Sequence, residues 1–131
     1  MSHLAVIALG SNIRPEIHIP SAILRMQSRL QILSRSALVS TRPVGREDQP
    51  DFINGAVLVK TDLDRPELEK WLHVIEDELG RVRDGDRYGP RSIDLDIAVW
   101  DGEIVHPDVK SREFVKNAVL EVLPELKSFL Q

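Results

Sequence analysis

Ile93, Leu95, Ile97 and Val99 alternate with Asp94, Asp96 and Ala98. Successive side chains on a β-strand leave opposite faces, so this stretch is stable as a strand with one oily face on a core and one face that carries two carboxylates. Any fold for the chain must therefore bury one side of this strand and leave the acidic side to water or to a ligand.

The remaining segments supply the cover. Residues 4–9 form a short, nearly continuous apolar run ending at Gly10-Ser11-Asn12, the pattern of a buried central strand followed by a loop. A helix is expected over about residues 15–30, where Ile19, Ile23, Met26 and Leu30 recur at helical spacing and Pro20 lies near the start. A strand over about 33–41 follows, then a polar stretch through Asp51 that is rich in proline, glycine and charge and reads as a functional loop. Residues 52–60 alternate again, with Ile53, Val57 and Val59 on one face and Phe52, Asn54, Ala56 and Leu58 on the other. Asp64 and Glu67 have capping-box spacing, and Leu68, Trp71, Leu72, Ile75 and Leu79 form a helical stripe closed by Gly80. A last helix is expected over about 112–123. The order β, α, β, β, α, β, α is that of an α+β, ferredoxin-like α/β sandwich: a mainly antiparallel sheet with helices on one face and the other left for loops and ligands.

With 131 residues, 42 per cent of them apolar, the chain is expected to form a single domain over 1–131 with a core that needs no staple. It contains no cysteine, which excludes disulfides, thiolate zinc sites and cysteine nucleophiles. No basic region precedes the first apolar run, and that run is too short for a signal-peptide core or a membrane span. A cytoplasmic location without membrane contact is therefore expected. A net charge of -4 argues against nucleic acid as a partner. No obligate protein partner is evident, and any polyanion site must be local.

Asp94 and Asp96 leave one strand face together, close enough to share cations, and magnesium suits carboxylate oxygens completed by phosphates and water. The plain alternative is an exposed polar strand face. Arg81, Arg83, Arg87 and Arg91 crowd the preceding loop of an otherwise acidic chain. Guanidinium forks bind phosphate bidentately, so the loop and the carboxylate pair describe both halves of a metal-nucleotide site; alternatively the arginines pair with Asp84 and Asp86. No Walker loop occurs in the sequence. Phe52 and Asn54, two apart, set a ring and an amide on one strand face, as a flat polar heterocycle requires, although ordinary packing also explains Phe52.

The run Arg81-Val82-Arg83, with Tyr88-Gly89-Pro90-Arg91-Ser92-Ile93-Asp94-Leu95-Asp96-Ile97, closely resembles the signature of the 6-hydroxymethyl-7,8-dihydropterin pyrophosphokinase family. Supporting matches are Gly10-Ser11-Asn12, Asp48-Gln49-Pro50-Asp51-Phe52-Ile53-Asn54, Ile75-Glu76 and Gly80-Arg81. The resemblance implies transfer of the β,γ-pyrophosphoryl group of ATP to the pterin hydroxymethyl oxygen, with two Mg2+ ions. It further implies that Asp94 and Asp96 are metal ligands and that Arg83 and Arg91 are loop arginines that approach the phosphates. By the same resemblance His106 and Arg112 are further phosphate contacts, Phe52 and Phe114 sandwich the pterin, and Asn54 reads its edge. Thr41 and Val44 match pterin contacts, and Glu76 matches a carboxylate near the active-site loop, grouped with the nucleotide side.

Between Trp100 and His106 the chain has only five residues, where typical members carry a longer segment that contacts adenine. Weakened adenine recognition is the expectation, and this shortening supports a rival reading as a non-catalytic pterin or nucleotide sensor. An RNA-binding ferredoxin-like domain is a further rival, disfavoured by the low basicity.

Overall fold

The computed structural model describes residues 1–81 and 89–130. In chain order the elements are β1 (His3–Ser11), α1 (Pro15–Gln27), β2 (Gln31–Arg35), β3 (Val39–Thr41), β4 (Phe52–Thr61), α2 (Arg65–Glu78), β5 (Asp94–Trp100), β6 (Glu103–Ile104), α3 (Asp108–Ser111) and α4 (Glu113–Val122), followed by a 3-10 segment, Pro124–Phe129. The strands form one sheet in the order β2-β4-β1-β5-β6, with β3 also on β4, and every pairing is antiparallel. This is the ferredoxin-like sandwich expected from the element order, with the apolar β1 at its centre.

One face of the sheet carries Ala5, Ile7, Leu9, Val57, Val59, Leu95 and Ile97, packed against Ile19, Ala22 and Met26 of α1 and Leu68, Leu72 and Ile75 of α2. The expectation of helices on one face alone needs correction. On the opposite face Val6, Ala56, Ala98 and Val99 pack against Val109, Ala118, Val119, Val122 and Leu126, so α4 covers part of the side expected to stay open. The physical reason lies in how that face changes along the strands. It is apolar at the Val6 and Val99 end, which demands cover, and polar at the Asp94 and Asn54 end, which does not.

The α2 helix is closed at both ends by its own sequence. Glu67 N–H donates to Asp64 Oδ1 at 2.8 Å while Asp64 N–H donates to Glu67 Oε1 at 3.0 Å, a reciprocal cap worth about 1 kcal/mol. Gly80 takes φ 86°, so that Gly80 N–H reaches the Asp77 carbonyl and Arg81 N–H the Glu76 carbonyl, a Schellman closure that returns Arg81 toward the helix end.

Two details go beyond the pattern-based expectation. The strand expected over 33–41 is split into β2 and β3, and the break is held by side chains: Ala56 N–H donates to Ser36 Oγ, and the Glu121 carboxylate of α4 accepts from Ala37 N–H. Residues 101–105, the short segment between Trp100 and His106, fold back as β6 through Asp101 and Gly102, both at positive φ (46° and 84°), the geometry of a tight two-residue hairpin turn. Among the described residues no helix is long and apolar enough to cross a membrane.

Candidate active site

Strand register builds the floor of the site. Asp94 pairs with Gly10 and Gly10 with Asn54, while Asp96 pairs with Ala8 and Ala8 with Ala56. Facing residues of paired strands share one side, so the two carboxylates on β5 and the Asn54 amide on β4 look out across small side chains on β1. Gly10 leaves room for the amide here, because a Cβ at that position would sit 2.8 Å from Asn54 Oδ1. The trough opens into a cavity of about 450 Å3, within the ordinary range for a small-molecule site.

Of the residues singled out from the sequence, Thr41, Val44, Phe52, Asn54, Arg91, Asp94, Asp96, His106, Arg112 and Phe114 all line this cavity. They come from four regions of the chain. Thr41 pairs with Phe52 across β3 and β4, and its hydroxyl accepts from Asn54 Nδ2, which fixes the amide in the trough. Phe114 sits in the first turn of α4, the helix that covers the apolar part of the same face. Arg83 lies outside the described residues.

Glu76 does not line the cavity. Its side chain is fully buried, and its carboxylate accepts from the Arg81 guanidinium at 2.6 Å and from Leu95 N–H at 2.8 Å. Leu95 N–H belongs to a stretch of β5 that β6 does not reach, so this carboxylate takes the place of a missing strand. Glu76 is tied to the site through Arg81, whose NH1 also contacts Asp94 Oδ1 at 3.0 Å, and its charge is felt by Asp94 and Asp96. Sequence reasoning noted Arg81 in the arginine-rich loop and assigned it no role. The signal was present in the Gly80-Arg81 helix end, one turn beyond Glu76.

Charge is unbalanced at this corner. Burial pushes the Asp96 carboxyl up to about 7, reinforced by the negative charges of Asp94 and Glu76. Burial also raises Asp94, against the opposing pull of Arg81. Its side chain is nonetheless 39% exposed, open to a ligand in the cavity. Three carboxylates against Arg81 and Arg91 favour a further cation, and the donor set suits a hard, oxygen-seeking ion such as Mg2+. Among the described residues no group of three or more His, Cys, Asp or Glu is arranged to hold a metal, so phosphate oxygens and water would have to complete the shell around this pair.

The surrounding cations are held in different ways. Arg91 is buried to 9% exposure, and its NH1 donates to the Gly89 carbonyl at 3.0 Å and the Pro90 carbonyl at 3.3 Å. Arg112, between α3 and α4, reaches Asp108 Oδ1 at 3.3 Å. His106 Nδ1 accepts from Asp108 N–H at 3.1 Å, which leaves Nε2 as the donor of the neutral ring.

Fold and site together define a ferredoxin-like domain in which the open end of the sheet joins a carboxylate-and-arginine corner to a slot of aromatic and amide groups. The chain belongs to the 7,8-dihydro-6-hydroxymethylpterin-pyrophosphokinase family, whose model matches residues 6–124. It is 37% identical over 138 residues to the 2-amino-4-hydroxy-6-hydroxymethyldihydropteridine pyrophosphokinase of Bacillus subtilis (strain 168), covering 97% of this chain and 82% of the relative. Its identity to the enzyme of the same name from Haemophilus influenzae is 35% over 133 residues, covering 93% and 82%. The mitochondrial folate synthesis bifunctional protein of Pisum sativum is 42% identical over 128 residues, which cover 90% of this chain and 25% of that longer protein.

Proposed function

We propose that this protein, acting as a single cytoplasmic domain, transfers the β,γ-pyrophosphoryl group of ATP to the hydroxymethyl oxygen of 6-hydroxymethyl-7,8-dihydropterin, releasing AMP, in folate biosynthesis. The observation that carries the reading is the shared cavity, which Asp94, Asp96 and Arg91 line together with Phe52, Asn54 and Phe114. The names of the relatives from Bacillus subtilis and Haemophilus influenzae support the same acceptor chemistry.

In this reading Asp94 and Asp96 hold magnesium, two ions with ATP present. When bound, the metal neutralises triphosphate charge and makes the phosphorus more electrophilic. Phe52 and Phe114 stack on the pterin faces, and Asn54, held by Thr41, hydrogen-bonds its amide edge. Val44 closes the slot. Arg91, Arg112 and His106 donate to phosphate oxygens, and Arg83 joins them from the loop. Arg81 keeps Asp94 oriented through its bridge to the buried Glu76. The hydroxymethyl oxygen forms a bond to the β-phosphorus as the bond from that phosphorus to the α,β-bridging oxygen breaks. AMP leaves with that oxygen, and the hydroxyl proton passes to solvent. Catalysis is then mainly positioning and charge stabilisation.

AMP release in the presence of ATP, Mg2+ and the pterin tests the proposal. Stoichiometric AMP and pterin diphosphate are expected, and either product without the other would overturn the transfer. The tight hairpin at Asp101 and Gly102 favours a second reading as a non-catalytic pterin sensor, because it leaves little chain beside β5 for contacts to a nucleotide base. Pterin binding without measurable ATP binding or AMP release would select that reading.

A further inference from the structure

The sheet holds its two working strands together through the floor of the site and stops there. Central β1 lies between β4 and β5, but its pairing ends at Ser11 with Ile53 on one side and at Gly10 with Asp94 on the other. Asn12 continues the bridge with its side chain. Its Oδ1 accepts from Arg91 N–H at 2.8 Å, and its own N–H donates to the Arg91 carbonyl at 3.0 Å. Its Nδ2 donates to Gln49 Oε1 at 2.8 Å and to the Pro50 carbonyl at 3.0 Å. Asn12 is only 4% exposed, and its bond to Arg91 N–H is buried while those to Gln49 and Pro50 are part-buried, so the group is costly to leave unpaired. Two residues beyond Pro50 the chain enters β4 at Phe52, and three beyond Arg91 it enters β5 at Asp94.

We propose that Asn12 is a positioning residue that couples the two halves of the site, so that occupancy at Arg91 and Asp94 changes affinity at Phe52 and Asn54, and the reverse. The inference rests on the pyrophosphokinase reading for what fills each half. A single amide tied to both segments gives them one shared hydrogen-bonded unit, which a ligand on either side biases, and such coupling is reciprocal by thermodynamic necessity.

A four-state binding cycle tests it, with 6-hydroxymethylpterin and a magnesium complex of α,β-methylene ATP titrated alone and together by calorimetry. In the wild-type protein each ligand is expected to tighten the other by about 5- to 150-fold, the usual span of such couplings. In Asn12→Ala the coupling factor should fall to about twofold or less, while each ligand alone binds within about threefold of wild type. Gln49→Met leaves Asn12 and the Pro50 bond in place and should remove part of the coupling; if thermal melting shows that Asn12→Ala does not fold, this variant decides. Full coupling in a folded Asn12→Ala, in Gln49→Met when it decides, or no coupling in the wild type, would overturn the inference while leaving the proposed reaction intact. A wild-type protein that binds neither ligand would overturn both.

Discussion

Asp94 and Asp96 stand two residues apart on one strand face, yet the tertiary environment makes them different acids. Arg81 touches Asp94, whereas among the described residues Asp96 has no hydrogen-bond or ion-pair partner and its carboxyl is pushed up to about 7. Asp94→Asn and Asp96→Asn are nearly isosteric, remove one negative charge and open no cavity. Each should reduce AMP release by about 10²- to 10³-fold or more, with a wild-type circular dichroism spectrum. Turnover within a few-fold of wild type would remove the two-carboxylate assignment. Gly10→Ala tests the other side of the trough. Its methyl would strike Asn54 Oδ1 and displace the amide, so pterin affinity should weaken by about tenfold, or ~1.4 kcal/mol, with little change for ATP. Equal weakening of both ligands would show that the strand itself had been distorted.

Elements set which parts of the site are complete. The β5–β6 hairpin turns at once after Trp100, with Asp101 anchored to the start of β1 through Leu4 N–H and His3, so the chain runs back along β5 rather than out over the cavity. Adenine selectivity depends on backbone donors and acceptors in a shaped slot, and the loss of such a wall costs about one to a few kcal/mol of discrimination. ATP and GTP should therefore support turnover within about tenfold of each other while pterin affinity remains ordinary. Calorimetry with both nucleotides in magnesium checks this, and tight, adenine-selective binding would mean that another segment rebuilds the pocket.

For the whole molecule, the acidic corner links folding to pH and to metal. The Asp96 carboxyl is raised from 3.8 to about 7, so the metal-free folded protein holds a proton there across a range in which the unfolded chain has released it. That contribution is complete below about pH 4 and is lost as pH rises through about 7. Without metal, wild-type melting temperature should therefore decline between pH 5 and pH 8 more than that of Asp96→Asn, which cannot ionise. Because Mg2+ binds the deprotonated pair, its stabilising effect should be larger at pH 8 than at pH 6. Thermal melts with and without Mg2+ read both effects, and parallel pH profiles for the two proteins would show that Asp96 is not the group responsible. Much of this architecture was legible in local pattern. Alternation at 93–97 and 52–60, the capping box at Asp64 and the stop at Gly80 each depend on neighbours within a turn or a pleat, and each appears as expected, whereas Val99, expected on the face of Leu95 and Ile97, joins Ala98 on the other face because the β1–β5 register shifts between Val6 and Ile7. The resemblance carried by the Gly-Pro-Arg and Asp-x-Asp run and its supporting matches likewise picked out ten residues that line the cavity. Tertiary structure alone decided which half of the second sheet face α4 would cover, that Glu76 would be spent inside the protein on Arg81 and Leu95, and that Asn12 would tie residues 37 and 79 positions away. Periodicity states that a face is apolar or polar, but only strand order and register determine which distant groups meet there, and with them the charge and the hydrogen bonds that each residue finds.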